Sequence, residues 1–130
     1  MTATLNNPVQ GGFTADVVLA NLTTDGAFDD FSANTTNVTF TGNVGETVDI
    51  VINITDDSIV EGTEQFTVGL NNVVPGDSLV SASDIDVTAV GTVDIADNDS
   101  ASIVLDDIIV DEDAGTIQVK ATLLLSLIHI

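Results

Sequence analysis

The sequence predicts an all-β antiparallel sandwich, and three observations carry that prediction. Apolar residues recur with period two, as they do on strands that bury one face. Val, Ile, Thr and Phe dominate the alternating runs, whereas strong helix formers such as Lys, Gln, Arg and Met are scarce. Clusters of Gly, Asn and Asp punctuate the runs where turn chemistry requires them: NNPVQGG, TGNVGE, TDDSIVEG and ADND.

The strands follow in order. Phe13, Ala15, Val17 and Leu19 alternate on the first long run, and Val38 and Phe40 on the next. The segment TVDIVINIT reads as one strand, with Val48, Ile50, Ile52 and Ile54 inward and Asp49, Asn53 and Thr55 toward water. Phe66, Val68 and Leu70 form a further run, and Val93 with Ile95 another. Phe40 and Phe66 are expected in the core.

Composition excludes whole classes of function. The 130 residues carry one basic and 21 acidic side chains, for a net charge of −20. A chain with a single Lys cannot neutralise a phosphate backbone, so nucleic acid is not an expected partner. It also lacks the basic stripe that an anionic lipid surface attracts. Disorder is not expected either, because 44% of the residues are hydrophobic and the mean hydropathy is +0.40. There is no Cys, hence no disulfide and no thiolate chemistry. His129, the sole histidine, is not expected to serve as a catalytic base. No signal peptide and no apolar run of membrane-spanning length is evident, so no direct membrane insertion is expected. Glu61 with Glu64, or Asp57 with Glu61, has the residue types of a glycosidase pair, but the chain has no Trp or Tyr on which a sugar would stack. The expectation is that this is not an enzyme.

An internal repeat organises the chain. Ala3-Thr4-Leu5 returns as Ala121-Thr122-Leu123, an offset of 118 residues, about one sandwich module. Residues 1–99 therefore read as one module lacking its first strand, residues 100–123 as the opening strands of a second, and 124–130 as an atypical apolar tail, a gene-end artefact. On this reading the chain is a window cut from a tandem array, and the missing strand leaves a sheet edge open. Residues 101–105 or 117–123 are expected to fill that place, from the same chain or a neighbour.

Antiparallel topology collects the acids. The loops after three strands of like direction hold Asp29 and Asp30, then Asp56, Asp57, Glu61 and Glu64, then Asp97 and Asp99. Two like charges about 5 Å apart repel by roughly 3 kcal/mol at an effective dielectric near 20. Such a cluster either stays spread and hydrated, takes up protons, or binds cations. All-oxygen ligands on irregular loops suit Ca²⁺ better than octahedral Mg²⁺.

The strings ITDDSIVEGTEQFTVGL and GTVDIADNDSASI, with DGAFDDF and VTFTGNVGET upstream, resemble the Calx-β family. The resemblance implies an immunoglobulin-like sandwich that binds Ca²⁺ at its distal loops. It implies metal ligands at Asp30, at the paired Asp56 and Asp57, at Glu61 and Glu64, and at Asp97 and Asp99, with Glu112 as the corresponding acid of the second repeat. Asn98 stands where ion-binding relatives often carry a third Asp, and the first repeat has no acid equivalent to Glu112, because that strand would precede Met1. The implied role is a non-enzymatic structural or adhesion repeat of a large extracellular or cell-surface protein, with Ca²⁺ rigidifying the junction between repeats. Its partners would be calcium ions, neighbouring repeats and cell-surface or matrix ligands. An inert spacer with a decayed ion site and a Ca²⁺-sensing domain of an ion exchanger are the alternatives. Five Asn-x-Ser/Thr sequons, at Asn21, Asn34, Asn37, Asn53 and Asn98, arise easily in so Asn- and Thr-rich a chain.

Overall fold

Period-two alternation yields strands whose inner faces must be covered, and the computed structural model shows how they are. It describes residues 1–23 and 30–127, with side chains to residue 125. Asp29 and His129 lie outside the described residues. The chain forms two compact units: Met1–Asp56 with Glu64–Ile95, and Asp57–Thr63 with Ala96–Ile130.

The first unit holds β1 (Thr2–Thr4), β2 (Phe13–Asn21), β3 (Phe31–Ala33), β4 (Asn37–Phe40), β5 (Thr47–Asp49), β6 (Ile52–Ile54), β7 (Glu64–Pro75) and β8 (Gly91–Ile95). A four-stranded sheet runs β4-β2-β7-β8, and two pairs, β1-β5 and β3-β6, complete the antiparallel β-sandwich. Phe13, Ala15, Val38, Phe40, Ile50, Phe66 and Val68 are its buried core, so both Phe40 and Phe66 lie where the alternation puts them. Phe13 and Phe40, cross-strand neighbours in β2 and β4, stack with ring centroids 5.0 Å apart.

TVDIVINIT departs from the expected single strand. β5 pairs with β1 while β6 pairs with β3, and the chain changes partners between them. The Ile50 N–H donates to the Met1 carbonyl at 2.7 Å, whereas the next carbonyl, of Val51, accepts from the Asn34 and Thr35 N–H groups. Ile50 is buried at this switch, but Ile54 is half exposed and does not join the core. Alternation reports which face is apolar, not which strand lies alongside.

β7 is longer than the Phe66–Leu70 alternation suggests, because it continues through Asn71 and Asn72 to Pro75 across a bulge. The register slips between Thr14 and Asp16 of β2, and Asn72 takes φ of +50°. Asp16 secures the bulge: it accepts from the Asn72 amide at 3.0 Å and the Asn37 amide at 2.9 Å. These two bonds, Asn72 first, hold the Asp16 carboxyl below the usual range. Between β1 and β2, Gly12 at φ +67° passes so close to Phe40 that a Cβ would collide with its carbonyl oxygen.

The second unit contains β9 (Asp99–Leu105) and β10 (Ala121–Leu127), an antiparallel pair with Ala121 opposite Leu105 and Leu123 opposite Ile103. Leu124 to Leu127, expected as an atypical tail, continue β10. β9 and β10 form a two-stranded sheet of their own. β9 takes the strand that follows it in sequence, the shorter closure. The pair leaves Ile103, Leu105, Leu123 and Leu124 about half or more exposed. No helix of the described residues is long and apolar enough to cross a membrane.

Candidate metal centre

The placement of Asp30 starts from an aromatic stack. Phe31 opens β3 and lies on Phe66 of β7, with ring centroids 4.0 Å apart and planes within 8°. Phe66 is fully buried, so the stack pins the start of β3 over the core. On the other side the Thr55 N–H donates to the Asp30 carbonyl at 2.8 Å, continuing the β3-β6 ladder by one residue. The residue before Phe31 is thereby held through its carbonyl and by the stack that follows it. Asp30 is only 6% exposed, the one buried charged residue of the described chain. Its Oδ2 has no hydrogen-bond partner among the described residues.

Glu64 is delivered by the same stack from the opposite strand. It is the first residue of β7, two before Phe66, half-buried and opposite Ile95 of β8. A carboxylate oxygen of Glu64 and one of Asp30 come within 4.8 Å of each other. Their repulsion at that distance is roughly 3 kcal/mol near an effective dielectric of 20, and the chain's single Lys, Lys120, is its only basic side chain. A buried carboxylate with an unused oxygen beside a second carboxylate is a donor set for a hard cation.

In the second unit the acids shape backbone. Asp97 accepts from the Glu61 N–H through Oδ2 at 2.9 Å and from the Asp99 N–H through Oδ1 at 3.1 Å. Asp57 accepts from the Ile59 N–H at 2.9 Å, an Asx-turn. Glu61, Asp97 and Asp99 are half-buried. Asp56, at the end of the first unit's leading segment, is exposed, and so is Glu112, in a 3₁₀ turn at Glu112–Ala114.

One carboxylate that the sequence reading passes over is Glu46. Its Oε1 accepts from the Thr41 N–H at 2.8 Å and the Thr41 hydroxyl at 3.1 Å. Oε2 takes the Gly42 N–H at 2.9 Å and the Asn43 N–H at 3.3 Å. These donors, the Thr41 N–H most of all, hold the Glu46 carboxyl below the ordinary glutamate range. Its role is to close the turn between β4 and β5; the Thr-Gly-Asn run three to five residues ahead of the acid was the available signal.

An antiparallel β-sandwich with acids gathered at strand ends defines the class of protein. Residues 9–99 match the Calx-beta domain, and the chain belongs to that family, whose members are β-domains associated with calcium binding. No curated protein and no solved structure matches the chain.

Proposed function

We propose that the chain is a non-enzymatic Ca²⁺-binding repeat module of an extracellular or cell-surface protein, in which Ca²⁺ rigidifies the junction between neighbouring repeats. The observation that carries this reading is Asp30: a buried carboxylate whose Oδ2 lacks a hydrogen-bond donor, with Glu64 beside it. Such a group is costly to leave unmatched, and a divalent ion bound by several carboxylates removes both the desolvation and the repulsion. Asp30 and Glu64 are the ligands that the first unit offers side by side, and the family resemblance adds Asp56, Asp57, Glu61, Asp97 and Asp99 as further candidate ligands. Glu112 supplies the equivalent acid to the second repeat. An adhesive role toward cell-surface or matrix ligands follows from repetition of such modules in a rod.

The ion stabilises the folded state by RT ln(1 + [L]/Kd), about 2.7 kcal/mol at a hundredfold excess over Kd. Thermal unfolding in Ca²⁺, in Mg²⁺ and in chelator tests the reading. The midpoint is expected to rise in Ca²⁺ well above its value in Mg²⁺ or chelator. Asp30→Asn and Glu64→Gln should abolish that rise, and Asp57→Asn and Glu61→Gln should reduce it. A midpoint indifferent to Ca²⁺ in the unmutated chain leaves an inert β-sandwich spacer as the function.

A further inference from the structure

The end of the first unit that holds Asp30 and Glu64 also carries a neutral oxygen donor. β2 lays Phe13, Ala15, Val17 and Leu19 against the core, and its last residue, Asn21, continues that face. The register sets Leu19 opposite Val68 and Asn21 opposite Phe66. Directly opposed residues share a face of the sheet. Phe66 is fully buried, so Asn21 stands on the inner face, at the point where that face reaches solvent and the residue is exposed.

Phe66 is the shared floor of three oxygen-bearing side chains. Asn21 faces it across the β2–β7 ladder, and Glu64 precedes it by two residues on the same face of β7. Asp30 precedes Phe31, whose ring is stacked on it. Asn21 and Glu64 are therefore diagonal neighbours across the ladder, with Cα atoms about 7–8 Å apart, a gap that two side chains reaching toward each other can span. Glu64 in turn brings a carboxylate oxygen within 4.8 Å of one on Asp30.

The backbone around Asn21 is fixed while its side chain is unused. Beyond the ladder, the Leu22 and Thr23 N–H groups both donate to the Gln65 carbonyl, at 3.0 and 3.2 Å. The Gln65 N–H donates to Thr23 Oγ1 at 2.8 Å. Among the described residues the Asn21 amide has no hydrogen-bond partner. Other asparagines of the unit spend theirs: Asn37 and Asn72 on Asp16, and Asn34 on Asn53.

We infer that Asn21 is a further ligand of the cation proposed for Asp30 and Glu64, to which it gives its side-chain carbonyl oxygen; the inference rests on that reading of the site. Two carboxylates already match the charge of a divalent ion. A third would add repulsion to the empty site, whereas an amide oxygen fills a ligand position without it. Ca²⁺ takes Asn carbonyls alongside carboxylates, and the number of charged ligands sets its affinity. The first unit thus offers two charged donors and one neutral donor from three segments: the end of β2, the start of β7 and the residue before β3.

Calorimetric Ca²⁺ titration and thermal unfolding of the full chain test this. Asn21→Ala is expected to weaken Ca²⁺ binding several-fold and to leave the midpoint in chelator unchanged. Asn21→Asp keeps the oxygen and adds a charge, so it should lower the midpoint in chelator yet bind Ca²⁺ at least as tightly as the unmutated chain. The side-chain N–H resonances of Asn21 are expected to move as the site fills, and to stay in place in Asp30→Asn. If Asn21→Ala keeps full Ca²⁺ affinity where Asp30→Asn loses it, the inference is overturned and the Asp30–Glu64 site stands. A midpoint that falls as far in chelator as in Ca²⁺ on Asn21→Ala would assign the residue to the fold and overturn it too. An unmutated chain that takes up no Ca²⁺ overturns both the inference and the reading beneath it.

Discussion

Asp30 and Glu46 carry the same charged group in the same unit, and the fold treats them oppositely. Glu46 lies in a turn that points four donors at its two oxygens. Asp30 is held rigidly at a strand start, buried, with one oxygen left without a donor. The first carboxylate is matched by its own backbone and needs nothing from solution. The second is fixed in place by parts that do not neutralise it, namely an aromatic stack and one bond to its carbonyl. A closed turn and an open ligand can therefore be told apart by donor count and burial, where the sequence shows only two acids.

Three perturbations act on this contrast. The largest effect is expected from Phe66→Ala, which deletes the ring beneath Phe31 and should cost about 3–5 kcal/mol in denaturant unfolding. It should also blunt the Ca²⁺ response, because Asp30 loses its support; a variant that loses stability yet keeps the full response would show that the stack does not position the ligand. Next, Asp30→Asn and Glu46→Gln should shift stability in opposite directions in chelator. Asp30→Asn removes a poorly matched buried charge and should stabilise the apo chain by on the order of 1 kcal/mol. Glu46→Gln turns an amide group toward N–H donors and should destabilise it with or without Ca²⁺. A loss of equal size from both would erase the distinction. The smallest effect is in pH. The native Glu46 carboxyl is lowered, so its contribution is present above the ordinary glutamate range and is lost as pH falls through the lowered native value. The acid limb of a stability–pH curve should accordingly be shallower in Glu46→Gln than in the unmutated chain.

Much of this fold is written in alternation. Phe13, Ala15, Val38, Phe40, Phe66 and Val68 stand out because their neighbours are polar, and all are core. Two features escape that signal. β3 is three residues long, too short for a period, and only its stack on Phe66 declares it. The break between β5 and β6 is a change of partner, and side-chain pattern carries no information about partners. The acids were legible as residues of the loops that follow the strands. Which of them is buried was not, because burial of Asp30 depends on a stack between residues 35 positions apart.

The central ladder has a kinetic consequence. β2 and β7 pair from Phe13↔Pro75 to Asn21↔Phe66, so the middle of the sandwich joins segments some fifty residues apart. β2 has no partner next to it in sequence, and β7 meets its sequence neighbour β8 only across a long connection, so the search for the β2–β7 pairing must close a long loop before any contact rewards it. Chains of this topology fold slowly, in milliseconds to seconds, with apolar strands uncovered meanwhile. Twenty net negative charges on the unfolded polypeptide keep such chains apart during that interval. The acidity that the native module spends on its loops thus also serves as its protection against aggregation before the sheets have met.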